Sequence, residues 1–197
     1  MIAPALVTCA IAYLLGSIPF GLLLSRAVAG VDVRKVGSGN IGATNVARAA
    51  GKWPGALTLL LDVAKSALPM LAARRALGPG HPGWEAAVGL SAFAGHLFPV
   101  YLRFRGGKGV ATGLGVLLVL SPWAALAGAA TWGVAFAATR ISSVGSLSAA
   151  AVCVVVAWMI HGGQSPVAWT ATVVATVVLL RHRGNIGRLR SHRESRF

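Results

Sequence analysis

Seven apolar runs separated by short polar connections take up most of this 197-residue chain. They cover residues 2–29, 54–77, 84–102, 110–120, 123–139, 144–159 and 166–180. About 20 apolar residues in a helix span the hydrocarbon core of a bilayer, where every backbone polar group must find its partner inside the protein. Hydrophobic residues make up 56% and charged residues 11% of the chain, against about 25% charged in an ordinary soluble domain. These features predict an all-α integral membrane protein of about seven transmembrane helices, organised as a single domain over residues 1–197. No basic stretch precedes the first run and no cleavage site followed by a soluble domain succeeds it, so it reads as a retained span. The fourth run, Val110–Leu120, is about 17 Å long as a helix, short of a core near 30 Å. It is either prolonged by neighbouring residues or half of a re-entrant hairpin. Cys9 and Cys153 fall inside runs and read as reduced, packed thiols.

A formal net charge of +14 would suit a nucleic-acid partner, but the basic residues sit in short connections without stacking aromatics. Membrane orientation explains them better. With seven spans and the N-terminus outside, 15 of the 18 Lys and Arg residues fall on the inner side. That topology puts the C-terminus in the cytoplasm and gathers the polar, glycine-bearing connections on the cytoplasmic face of the cell membrane.

Two of those connections carry chemistry. Residues 95–113 read GHLFPVYLRFRGGKGVATG. Gly106, Gly107 and Gly109 let backbone N–H groups turn inward together, and with Arg105 and Lys108 they form an expected anion cradle. The P-loop pattern is excluded, since Leu102 and Gly109 stand where it requires Gly and Ser or Thr. Residues 37–48 read GSGNIGATNVAR. Gly37, Gly39 and Gly42 match a dinucleotide fingerprint only by accident, because a transmembrane run precedes them rather than a strand. Ser38, Asn40, Thr44, Asn45 and Arg48 supply the hydrogen-bond donors of a second expected ligand site.

Within the spans, Asp62 and Lys65 lie three residues apart on one helix face and predict an ion pair against the bundle interior, or a contribution to the site from below. His96 is expected to be a packed core residue, with a weaker possibility of site contact. Gly16, Pro19 and Gly21 permit a kink or an unwound turn in the first span. Four acids and five scattered histidines offer no metal-ligand cluster, so neither metal nor cofactor is expected.

Three stretches together, GSGNIGATNVAR, GHLFPVYLRFRGGKGVATG and RHRGNIGRL, resemble in order the signature motifs of the bacterial acyl-phosphate:glycerol-3-phosphate acyltransferases, the PlsY family. The resemblance covers nearly the whole chain and includes the Asp62/Lys65 pair. It implies transfer of a fatty acyl group from acyl phosphate to the 1-hydroxyl of glycerol 3-phosphate, giving lysophosphatidic acid and phosphate without coenzyme A or acyl carrier protein. The connection RISSVGS departs from the family pattern, and either Ser143 or Ser146 reaches substrate. By the same resemblance Lys108 with Gly106, Gly107 and Gly109 holds one phosphate. Arg48 with Ser38 and Asn45 holds another, aided by Gly37, Gly39, Asn40 and Thr44. His182 and Asn185 orient the attacking hydroxyl, with Arg188 nearby in the same motif. The proton passes either to His182 or to a substrate phosphate. Two phosphate-bearing substrates suit a site rich in cations and poor in acids. An activated acyl donor needs no enzyme nucleophile, and the chain has no nucleophile elbow. A monomer working among membrane lipids is expected, with no nucleic-acid partner. The rival readings are a transporter of an organic phosphate, which would be expected to show an internal repeat, and a lipid-binding scaffold.

Overall fold

The computed structural model describes residues 2–78 and 80–197. Among them the regular elements are all helical: α1 Ile2–Gly16, α2 Phe20–Ala29, α3 Ala43–Ala50, α4 Lys52–Leu77, α5 Pro82–Leu97, α6 Val110–Leu120, α7 Pro122–Thr139, α8 Ser142–His161, α9 Pro166–Arg181 and α10 Arg183–Arg190. Ala5–Ala29, Lys52–Ala76 and Ser142–His161 are long and apolar enough to cross a membrane, and α6 and α9 are shorter apolar helices. Large apolar side chains stand exposed along these helices, among them Leu6, Val7 and Ile11 on α1, Leu59, Leu60 and Leu68 on α4, and Val155 and Met159 on α8. So many outward apolar groups suit a lipid surround rather than water. The chain packs as two compact units, Met1–Val116 and Leu117–Phe197.

In the first unit, the opening apolar run is two helices rather than one. Pro19 carries no N–H and adopts φ −89°, ψ 69° ahead of α2, while the Ser17 hydroxyl turns back to the Tyr13 carbonyl at 2.9 Å. Helices α1 and α5 meet through small residues. A Cβ on Gly16 would strike the Ala92 carbonyl, and one on Gly95 would strike that of Tyr13. Such contacts let two backbones approach closely where lipid gives little drive for association. Helix α5 ends at Leu97, before the expected limit of Leu102, because Pro99 disfavours helical geometry at Phe98, which takes φ −129°, ψ 62°. Val100–Leu102 forms a 3-10 turn instead. Leu22, Val33, Ile41 and Val46 form a buried cluster that seats the first polar connection against α2 and α3.

In the second unit, α7 packs on α8 with a Cβ on Gly128 excluded by the Cys153 sulfur, and Gly145 lies against the Trp132 indole. Pro122 and Pro166 open α7 and α9, where their missing N–H groups cost nothing. Arg140, in a left-handed conformation at φ 60°, closes α7. The basic tail continues as α10, with His182 as the joint at φ −96°, ψ 5°.

Candidate functional site

The first connection is organised around one buried amide. Asn45 sits in the first turn of α3 and is 3% exposed. Its two Nδ2 protons serve three carbonyls, those of Val33 (2.9 Å), Val36 (3.0 Å) and Asn40 (2.9 Å), one N–H being shared, and its Oδ1 accepts from the Ser38 backbone N–H at 3.1 Å. Gly37 and Gly39, at φ 58° and 68°, reverse the chain over it. A side chain at Gly37 would meet the Asn45 amide oxygen. Asn40 accepts from the Gly42 N–H at 2.8 Å, a local turn. Asn45 therefore differs from its expected ligand-contacting role: its amide is used in tying the loop. The Ser38 and Arg48 side chains are exposed and Thr44 is half-buried. At the root of this loop Asp32 accepts from the Arg34 N–H and guanidinium and from Arg26. The Arg34 hydrogen bond, against a smaller opposing effect of burial, holds the Asp32 carboxyl far below the usual carboxylate range.

The glycine loop folds back onto the end of α5. Arg103 and Phe104 both take left-handed conformations, at φ 51° and 62°, which non-glycine residues adopt rarely and mostly where surrounding structure imposes it. The chain then runs back so that the Gly106 N–H donates to the Leu97 carbonyl (3.2 Å) and the Gly107 N–H to the His96 carbonyl (3.1 Å). This corrects the expected anion cradle in one respect. The two amides are committed to the protein's own carbonyls, and glycine is needed there for close approach: a Cβ on Gly106 would strike the His96 carbonyl and one on Gly107 the His96 imidazole. Gly109 has φ 86° and lies on the Phe93 ring, turning the chain into α6. Arg105 is exposed and Lys108 half-buried.

Under this loop lies the expected ion pair, Lys65 Nζ to Asp62 Oδ1 at 2.8 Å, with both side chains 3% exposed. His96 joins it, its Nδ1 2.9 Å from Lys65 Nζ. That partner was invisible in the sequence, where positions 65 and 96 lie on different spans.

The second unit gathers the remaining predicted residues. The Ser143 hydroxyl donates to Glu194 Oε1 at 2.8 Å, the Asn185 Nδ2 donates to the same oxygen, and Arg188 Nε donates to Oε2 at 2.7 Å. Burial raises the Glu194 carboxyl, but the hydrogen bonds from Asn185, Ser143 and Arg188 outweigh it and hold the carboxyl below its ordinary value. The Ser146 hydroxyl returns to the Ser142 carbonyl at 2.9 Å inside its own helix. His182 is 2% exposed, with Nδ1 2.8 Å from the Val178 carbonyl. That bond requires the proton on Nδ1 and leaves Nε2 as the basic nitrogen of the neutral ring. The tail folds back far enough for the Phe197 N–H to donate to the Arg140 carbonyl at 2.8 Å. Glu194 is the organising residue that sequence reasoning missed. Its signal was available: it is the one acid among the six arginines of residues 181–197.

The chain matches the family model described as glycerol-3-phosphate acyltransferase over residues 6–192. It is 61% identical to a glycerol-3-phosphate acyltransferase of Anaeromyxobacter sp. (strain Fw109-5), with 98% of this chain and 96% of that protein covered. It is 54% identical to one of Myxococcus xanthus, covering 94% and 95% respectively. Among solved structures it superposes with a TM-score of 0.91 at 41% identity on PlsY (YgiH), an integral membrane glycerol 3-phosphate acyltransferase in its glycerol 3-phosphate form, over 98% of this chain and 96% of that one. The lysophosphatidic acid form of the same protein gives a TM-score of 0.88 at 40% identity, over 98% and 95%.

Proposed function

The chain belongs to the glycerol-3-phosphate acyltransferase family, and from that premise we propose that it moves a fatty acyl group from acyl phosphate to the 1-hydroxyl of glycerol 3-phosphate. The hydroxyl oxygen attacks the acyl carbonyl, the bond from that carbon to the phosphate oxygen breaks, and lysophosphatidic acid and phosphate leave. The observation that carries this reading is the Glu194 clamp, which ties Asn185 and Ser143 to the one tail acid, with His182, three positions before Asn185, holding its Nδ1–H on the Val178 carbonyl.

Each predicted residue then takes a role. Arg48 and Ser38 hold one phosphate, on a loop whose shape Gly37, Gly39, Asn40, Thr44 and Asn45 maintain. Lys108 and Arg105 hold the other, with Gly106, Gly107 and Gly109 setting the loop's path. Fixed cations next to a transferring group lower its barrier by holding both reactants in place and by offsetting developing negative charge. His182 accepts the hydroxyl proton through Nε2, and Asn185 and Ser143 are held by Glu194 in a fixed orientation, with Arg188 on the same carboxylate. Ser146 acts through the first turn of α8. The phosphate leaving group makes an enzyme nucleophile unnecessary.

In this reading the protein crosses the cell membrane seven times as a monomer, with the N-terminus outside, the C-terminus in the cytoplasm, and the glycine-bearing connections at the cytoplasmic interface. The distribution of Lys and Arg supports that orientation. Family membership favours acyl transfer over transport of an organic phosphate.

The deciding experiment is phosphate release by purified protein given palmitoyl phosphate, with and without glycerol 3-phosphate. Release that requires glycerol 3-phosphate and is lost in Lys108→Ala is the expected result. Activity with acyl-coenzyme A and none with acyl phosphate would overturn the donor.

A further inference from the structure

A buried polar stripe on α4 has no part in the chemistry above. Asp62, Lys65 and Ser66 are 2%, 6% and 0% exposed. An ammonium has three N–H donors, and Lys65 Nζ has an acceptor for each: Asp62 Oδ1 at 2.8 Å, the Ile18 carbonyl at 3.0 Å and His96 Nδ1 at 2.9 Å. Because His96 accepts at Nδ1, its ring proton is on Nε2, and it is this edge of the ring that a Cβ on Gly107 would strike. The backbone carbonyl of the same His96 accepts the Gly107 N–H at 3.1 Å. One residue further along α4, the Ser66 hydroxyl has its proton between the Thr112 carbonyl at 2.8 Å, in the first turn of α6, and the Val63 carbonyl at 3.0 Å. Both ends of the glycine loop are thus tied to adjacent positions of one helix.

A buried ion pair is weak evidence for stability, since the desolvation of two charges offsets most of their attraction. What this pair does fix is direction. The ammonium, anchored by Asp62 and by the Ile18 carbonyl at the break between α1 and α2, which also accepts the Phe20 N–H at 3.1 Å, holds the His96 ring in one rotamer. The ring edge in turn limits where Gly107 can lie.

We propose that Lys65, anchored by Asp62, is a positioning residue for the phosphate loop: through His96 it sets the path of Gly106–Gly109 and so the presentation of Arg105 and Lys108 to a phosphate-bearing substrate. The inference rests on the loop's phosphate role given above. On this proposal Asp62, Lys65 and His96 act through the loop, so the effect falls on substrate affinity rather than on the chemical step.

The test replaces the pair with apolar side chains of similar size, Asp62→Leu with Lys65→Met, an exchange that is often neutral for folding. Expected is a folded protein with KM for one or both phosphate substrates raised at least fivefold and kcat within twofold of the parent. Hydrogen exchange should be faster across residues 103–109 and unchanged across 166–181. A folded double variant with both KM values unchanged, or with only kcat lowered, overturns the proposal. Should the double variant fail to fold, His96→Asn retains an acceptor for Lys65 while removing the ring edge from Gly107. It must then raise KM in folded protein, and an unchanged KM is again fatal. An inactive parent enzyme would strike the functional reading instead, and the exchange rates of residues 103–109 would still decide the positioning claim.

Discussion

The side-chain amide of Asn185 donates to the carboxylate of Glu194, nine positions further on, and holds the end of the chain against the turn that begins α10. Ser143 and Arg188 donate to the same carboxylate. Burial alone would raise the Glu194 carboxyl, but these three donors leave it below its ordinary value of 4.5. A carboxyl depressed in the folded state binds fewer protons there than in the unfolded chain. It therefore contributes stability above its unfolded pKa, and that contribution is lost as pH falls through the lower folded value. The unfolding temperature of the detergent-solubilised protein is expected to fall as pH drops below about 4.5. Glu194→Gln should cost about 1.5–3 kcal/mol at neutral pH, the range for hydrogen bonds to a charged group. It should also flatten the acid slope, leaving only the part that other depressed carboxyls such as Asp32 supply. A variant as acid-sensitive as the parent would show that the clamp contributes nothing.

Asn45 gives a second prediction. Replacing it with Leu removes the side-chain partner of the Val33, Val36 and Asn40 carbonyls and the Ser38 N–H. The Val33 and Val36 carbonyls keep backbone donors, so the loss falls mainly on the Asn40 carbonyl and the Ser38 N–H, at about 1–3 kcal/mol in all. Asn45→Asp keeps an acceptor for Ser38 but turns a carboxylate toward three carbonyl oxygens, so it should be no milder. Asn40→Ala loses the bond from the Gly42 N–H, a half-buried turn contact of about 1 kcal/mol. Thermal unfolding of the three variants should rank them with Asn40→Ala the mildest.

Asn45 also shows where sequence reasoning reaches its limit. Its neighbourhood reads correctly as a polar loop rich in donors, but whether an amide points to a ligand or into its own loop depends on two positive-φ glycines and the fold of the eight residues before it. The same holds for Glu194, whose donors come from positions 143, 185 and 188 and meet only after α8, α10 and the tail have packed. Apolar runs were legible because burial of backbone polar groups in lipid forces helices, and Asp62 with Lys65 was legible because three residues place two side chains on one face. The third member, His96, was not, since no local periodicity links different helices. The break after Gly16 was visible as a possibility through Pro19. That the Ile18 carbonyl at this break is taken up by Lys65, 47 positions away, is encoded in no local pattern.

Two glycines separate loop geometry from helix propensity. Gly109 has φ 86°, and a Cβ there would meet the Phe93 ring. Gly109→Ala should therefore cost about 1–2 kcal/mol for the left-handed backbone alone, more with the clash, and raise KM for a phosphate substrate. Gly187 lies inside α10, and a Cβ added there would meet nothing within 4 Å. Gly187→Ala should stabilise by about 0.5–1 kcal/mol through helix propensity and leave the kinetics unchanged. Paired steady-state kinetics and thermal unfolding distinguish the two.

His182 supplies the sharpest chemical prediction. Its Nδ1–H donates to the Val178 carbonyl, which fixes Nε2 as the nitrogen able to take a proton. His182→Asn offers an amide N–H to the same carbonyl, so the variant should fold, but it places no base where Nε2 was. If the imidazole receives the hydroxyl proton, kcat should fall by about 10²–10⁴-fold, the usual range for a lost general base, with KM for acyl phosphate little changed. A His182→Asn enzyme with the kcat of the parent would leave the substrate's own phosphate as the only proton acceptor, and His182 would then serve the joint between α9 and α10 alone.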